Sequence, residues 1–215
     1  MTTRIRPARA EDAAFLAWVQ LTAGRSHLQR GIWDIIISQP EDRCLAFLEL
    51  LATTEATYFC HYTEFMVAEV DGSAAAALTG YDPHGEKGET AVSLAMPEAI
   101  GKMGLTDADM AAGQQGLAAF MTCHADPAEG AWIVENVATL PEFRRQGLIL
   151  TLMDELLRKA KQLGFRRAQV GFYIGNTPAQ HAYEKAGFRY FDEKRHPDFE
   201  REIGCPGMVR LLREL

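Results

Sequence analysis

Little in this chain of 215 residues marks a special class of protein. Its four cysteines, Cys44, Cys60, Cys123 and Cys205, contain no Cys-x-x-Cys pair. That spacing argues against a zinc ribbon, a thioredoxin-type motif and a secreted disulfide framework, and fits a reducing, cytoplasmic location. Cys60-His61 and Cys123-His124 are adjacent pairs too far apart to form a local zinc site, so no metal is expected. No apolar run approaches the ~18 residues of a membrane span, and Met1 to Arg9 has no apolar leader core. Neither a Walker loop nor a Gly-x-Gly-x-x-Gly fingerprint occurs. Internal repeats and linkers rich in Pro, Gly or Ser are missing too, which favours one domain over residues 1–215.

The composition is 47% hydrophobic and 24% charged, ordinary for a globular chain with a sizeable core. The net charge of −7 hides an asymmetry. Residues 1–143 carry 8 Lys and Arg against 20 Asp and Glu, whereas residues 144–215 carry 14 against 9. The change of sign falls at Arg144-Arg145. A basic rear suits an anionic ligand, and an acidic front would steer a cationic one. An acidic whole argues against a nucleic-acid partner.

Helix and strand patterns alternate along the chain. Thr3 to Arg6 reads as a strand and Glu11 to Ala23 as a helix with Ala14, Phe15, Trp18 and Leu21 on one face. A second helix opens at Pro40. Phe65 to Val70 and Ser73 to Tyr81 flank Asp71-Gly72, a strong two-residue hairpin turn. Residues 83–130 form an irregular insertion, within which Thr106-Asp107-Ala108-Asp109 starts a helix to about Met121. Trp132 to Thr139 reads as a buried strand, Leu148 to Leu163 as an amphipathic helix with an Ile149, Leu152, Met153, Leu156, Ala160, Leu163 stripe, and Ala168 to Ile174 as a strand. This strand–helix–strand unit, at 132–174, reads as a βαβ crossover joining parallel neighbours. Thr177 to Ala186 is a helix, and Phe188 to Phe191 and Met208 to Leu212 are the last strands. The expected fold is α/β: a mixed, mostly antiparallel sheet with one parallel βαβ crossover and helices on both faces.

The loop before the Leu148 helix carries the chemistry. A helix N-terminus presents unpaired N–H groups and about half a positive charge. Arg144 and Arg145 add two charges, and Gly147 lets backbone approach closely. Arg144, Arg145, Gln146, Gly147, Leu148 and Ile149 therefore form a candidate pyrophosphate cradle. Asn176 and Tyr183 lie past the second strand of the crossover, where open α/β sheets place ligands.

These residues resemble a family. Pro-Glu-Phe-Arg-Arg-Gln-Gly-Leu-Ile, followed by Asn-x-x-Ala-x-x-x-Tyr-Glu-Lys-x-Gly-Phe, is similar to the GNAT acetyltransferase superfamily across about residues 132–192. Arg144 and Gly147 match two fixed positions of its Arg/Gln-x-x-Gly-x-Gly/Ala pattern, while Ile149 stands where Gly or Ala is usual. The resemblance implies an enzyme that moves an acetyl group from acetyl-CoA to a primary amine of a small molecule or peptide. It implies main-chain contacts to the pantetheine arm from Val137, Ala138 and Thr139, a further contact from Asn176, and Tyr183 as proton donor to the leaving thiolate. The alternative is a non-catalytic acyl-CoA-binding or regulatory protein with the same fold.

The acceptor must lose a proton before it attacks. For a lysine-like amine at pH 7 that costs about 4.6 kcal/mol, against about 1–1.4 kcal/mol for an α-amino group. Glu135 is the candidate base, and strand alternation puts Glu135, Val137 and Thr139 on one face. The insertion at about 83–130 is expected to cover the acceptor or to form a homodimer contact. Trp33, Asp34, Tyr58, Phe59 and Tyr62 are candidates to line the acceptor end.

Overall fold

The structure is a computed structural model describing residues 2–88 and 91–215. In chain order the elements are β1 (Thr3–Pro7), α1 (Ala13–Arg25), α2 (Ile32–Ile37), α3 (Glu41–Leu51), β2 (Phe65–Val70), β3 (Ser73–Tyr81), α4 (Val92–Met103), α5 (Asp107–Met121), β4 (Ala131–Thr139), α6 (Leu148–Gln162), β5 (Arg167–Tyr173), α7 (Thr177–Lys185), β6 (Arg189–Arg195), α8 (Pro197–Ile203) and β7 (Gly207–Glu214). The strands form one seven-stranded sheet in the order β1-β2-β3-β4-β5-β7-β6. Among the described residues, β4 and β5 are the one parallel pair; the other neighbours are antiparallel. This is the mixed sheet with a single crossover that the sequence pattern implies.

Local chemistry fixes several of these elements. Asp71 and Gly72 both have positive φ, 49° and 86°, as a type I′ turn requires. At α5, Thr106 Oγ1 accepts the Asp109 N–H and Asp109 Oδ2 accepts the Thr106 N–H, closing a capping box with Asp in the Glu position. In β3, Ala75, Ala76 and Ala77 are fully buried. Alanine is a weak strand former, but its size lets α1 and α6 approach the two faces closely, and packing overrides propensity.

One face of the sheet is covered by α6 and α7. There Leu152, Met153, Leu156 and Ala160 pack on Val134, Val170, Phe188 and Leu211. The stripe of α6 is rotated from the expected one. Leu148 and Leu157 are buried, while Leu163 lies past the helix end, 58% exposed, before Gly164 at φ 91°. The opposite face is covered by α1 and by the α2, α5 and α8 layer, with α3 and α4 outside it. Three helices went unrecognised in the pattern: α2, an apolar run without period, α4, interrupted by Pro97, and α8, seven residues long.

A bulge in β4 corrects the alternation read along that strand. The register runs Ala77↔Ala138 and then Thr79↔Glu135, so Asn136 and Val137 together oppose Leu78. Asn136 takes φ 52°, a left-handed conformation that Asn tolerates better than most residues. The bulge turns Val137 to the face of Val134, where it packs against the α6 core. Glu135 instead shares its face with Ala138, which packs with Ala77 under α1.

Candidate active site

The cleft begins where the parallel pair ends. β4 and β5 are paired from Ala131↔Arg167 to Val134↔Val170 and no further. Past that point β5 continues beside β7 to Tyr173, while β4 continues beside β3 to Thr139. The two strands splay, and the β4 edge from Glu135 to Thr139 faces no strand. Between them lies a cleft of about 1190 Å³. Its walls come from β4, β5, the α6 and α7 N-terminal turns, α1, α2 and the end of α5.

One end is the turn into α6. Arg145 and Gly147 have positive φ, 63° and 80°, which curls the backbone so that successive N–H groups face a common concavity. Arg144 to Gly147 are exposed, and Leu148 turns inward to anchor the helix in the core. Arg144 Nε donates to the Thr139 carbonyl at 3.2 Å, tying the turn to the end of β4. Nothing lies within 4 Å of where a Gly147 Cβ would sit, so the conformation, and not crowding, favours glycine there. Ile149, in place of a small residue, is half-buried, lines the cleft and packs against the α6 core.

The middle of the cleft holds the titratable groups. Tyr183 on α7 is buried, its ring against Phe172 at 5.9 Å and Phe188 at 6.3 Å. Burial, and then the charge of Glu135, push its hydroxyl well above the ordinary phenol range, so it stays protonated. Burial and Glu135 also push the Cys60 thiol up, which keeps it neutral. The Asn136 amide donates to Cys60 Sγ and to Thr79 Oγ1, both at 3.4 Å, and Thr79 Oγ1 donates to the Glu135 carbonyl at 3.2 Å. These contacts hold the bulge, and with it Glu135, in place. Asn176 caps α7, accepting the Ala179 N–H at 3.2 Å, and its amide donates to Ser26 Oγ at the end of α1 at 2.6 Å.

The sequence of the second half of the chain supports the same reading as its shape. Residues 103–188 match the family model described as the Acetyltransferase (GNAT) family. The fold is GNAT-like. A crystal structure of an acetyltransferase superimposes with a TM-score of 0.70 at 21% identity, covering 98% of each chain. An N-acetyltransferase from Staphylococcus aureus Mu50 gives 0.64 at 21% identity, covering 97% of this chain and 99% of its own. YncA, a putative acetyltransferase from Salmonella typhimurium, gives 0.53 at 14% identity, covering 100% and 95%. No curated protein matches in sequence.

Within this GNAT-like fold, every candidate catalytic and cofactor-binding residue except Gln146 lines the cleft. The Gln146 amide turns back to the Glu142 carbonyl at 3.4 Å. At the far end Trp33 and Phe59 line the cleft, but Tyr58 is buried in the α3 core, Tyr62 packs beside Phe65, and Asp34 is buried against Arg25. His181 is exposed at the rim. The insertion supplies Leu117, Phe120, Cys123 and His124 to the wall. Further wall residues, Gly171, Asp192, Lys194 and Arg210, had no local motif to mark them. The acidic front does not reach the cleft: among the described residues, Glu135 is the one Asp or Glu of residues 1–143 that lines it. No group of three or more His, Cys, Asp or Glu that could hold a metal occurs among the described residues, and none of their helices is long and apolar enough to cross a membrane.

Proposed function

We propose that the protein transfers an acetyl group from acetyl-CoA to a primary amine. The observation that carries this reading is the continuity of one cleft from the α6 turn, along the unpaired β4 edge, to Glu135 and Tyr183. Its parts fit the shape of such a molecule. The Arg145–Gly147 turn, with Arg144 and Arg145, suits a pyrophosphate. The β4 edge at Val137, Ala138 and Thr139 suits an extended arm with amide groups, which would add to the sheet like a strand. Asn176, Leu148 and Ile149 would border that arm. The Salmonella typhimurium neighbour was solved with its cofactor acetyl-CoA, and a ribosomal-protein-S18-alanine N-acetyltransferase from Escherichia coli shares the fold at a TM-score of 0.51.

Acetyl-CoA would supply a thioester already activated for attack. The protein's own residues do the rest. Glu135 takes a proton from the acceptor nitrogen, directly or through water, so that the amine is neutral. The Val137 N–H, in the β4 bulge, donates to the acetyl carbonyl oxygen. Tyr183, kept protonated by burial, donates to the thiol sulfur as negative charge collects there. Its raised pKa makes full proton transfer to a thiolate near 8.5 uphill, so hydrogen bonding is the main contribution.

Thiol release from acetyl-CoA, measured against polyamines, amino acids, aralkylamines and peptide N-termini, tests the reading. Turnover with an amine is the expected result. CoA binding with no thiol released over the whole panel would make this a binding protein instead.

A further inference from the structure

The acceptor end of the cleft has a bare floor. Gly171 pairs with Arg210, and Arg210 with Asp192. Gly171 and Glu135 are the first residues past the last β4–β5 pair, so Glu135, Gly171, Arg210 and Asp192 follow one another across the sheet. Gly171 is the one exposed residue of β5, between buried Val170 and Phe172, and it stands where β4 leaves the side of β5. Its exposure and its place in the cleft wall mark a hollow at that point. A Cβ at Gly171 would meet only the Met208 methyl at 3.6 Å and the Val209 carbonyl at 3.8 Å.

The walls of this hollow are apolar, and its charges, Glu135 and Asp192 against Lys194 and Arg210, balance, with no carboxylate in excess for a polycation. Trp33, Ile36, Phe120, Ile133 and Met208 line that end. Among the described residues, the whole cleft is lined by five Lys and Arg but two carboxylates, Glu135 and Asp192, with Arg144 and Arg145 at the α6 turn. Asp192 is already engaged with both the Nε and Nη2 of Arg210, at 2.9 and 2.5 Å. Lys194, which donates to the His124 carbonyl, adds positive charge beside them. A second ammonium on the acceptor would have to leave water without a carboxylate to receive it, which is costly.

On the acetyl-transfer reading, we infer that the acceptor is a monoamine with an apolar body the size of an aromatic ring. That body lies over Gly171 with the nitrogen toward Glu135, and the missing side chain at Gly171 sets the size accepted. A polyamine is excluded by the same charges.

The test compares 2-phenylethylamine, propylamine and spermidine as acceptors by thiol release. Wild type should use 2-phenylethylamine with kcat/KM at least tenfold above either of the others. Gly171→Val should lower that value at least tenfold while changing propylamine less than threefold, and it should keep the thermal shift given by CoA. Gly171→Ala, whose Cβ fits as found, should give a smaller loss of the same kind and guards against misfolding. Spermidine matching 2-phenylethylamine, or both variants lowering all acceptors equally, would overturn the inference and leave acetyl transfer standing. Calorimetric titration of 2-phenylethylamine into the CoA-bound protein separates the two readings. Binding that weakens in Gly171→Val without any turnover supports the hollow and refutes acetyl transfer, whereas no binding to wild type refutes the hollow.

Discussion

Replacing Tyr183 with Phe isolates one hydroxyl. The ring is held between Phe172 and Phe188 on the α6–α7 side of the sheet, and a phenylalanine keeps all of that packing. No hydrogen bond to the hydroxyl is found among the described residues, so its removal orphans no buried partner and stability should change little. The loss therefore falls on the reaction. A hydrogen bond to a charged group has a net worth of about 1.5–3 kcal/mol, and each ~1.36 kcal/mol is tenfold in rate. Tyr183→Phe should lower kcat about 10- to 150-fold with CoA affinity nearly unchanged. Because burial and Glu135 raise the hydroxyl's pKa, it stays protonated across the assay range, and the ratio of wild-type to variant rates should be flat with pH in alkaline buffer. Stopped-time thiol release at saturating acetyl-CoA, with melting curves of both proteins, makes the measurement. A kcat within twofold of wild type at unchanged melting temperature would remove Tyr183 from the reaction.

Other perturbations test other parts. Glu135→Gln should lower kcat/KM for a basic amine by roughly 100-fold or more near neutral pH, with recovery as pH rises and free neutral amine accumulates; a variant as active as wild type near neutrality would clear Glu135 of the base role. Gly147→Ala must hold a non-glycine residue at φ 80°, which costs about 1 kcal/mol and has no steric relief to offset it; titration calorimetry should show CoA bound about fivefold more weakly, and an unchanged affinity would mean the turn does not hold the phosphates. Arg25→Ala leaves Asp34 buried without its cation; breaking such a pair costs about 3–5 kcal/mol, or a melting-temperature loss of roughly 6–12 °C for a chain of this size. Burial opposes the Asp34 charge, but Arg25 and the Gly31 N–H outweigh it and hold the carboxyl below its usual range. The stability it contributes is therefore present above the ordinary carboxylate pKa and lost as pH falls through the lowered one. The melting-temperature gap between wild type and Arg25→Ala should narrow on acidification, and a gap that widens would contradict this.

What was legible in the sequence was local. The Asp71-Gly72 turn, the Thr106 capping box, the α6 amphipathicity and the glycine at the α6 entry each carry their cause within a few residues. What was not legible depends on distant partners. Val-Glu-Asn-Val-Ala-Thr reads as unbroken alternation, and only the register against β3 shows Asn136 and Val137 opposing one residue. Asn176 carries a plain cap signature, yet its second bond reaches Ser26, 150 residues away. Gly171 looks like an ordinary strand glycine until the splay of β4 leaves its face uncovered.

The charge asymmetry divides in the same way. The basic rear enters the cleft through Arg144, Arg145, Lys185, Lys194 and Arg210. The acidic front is largely spent elsewhere. Arg6 holds Asp12 and Glu69, Arg25 holds Asp34 and Glu41, and Lys87 and Lys102 hold Glu64 and Glu98. With few cations in that half, most remaining carboxylates meet solvent, where a Debye length of about 8 Å at physiological salt screens them from the cleft. Steering by the front is therefore weak, and the charges that meet a ligand are those of the wall. On the proposed reading, the cations at the α6 turn meet the anionic end of the cofactor, and Glu135 meets the one positive centre at the other end.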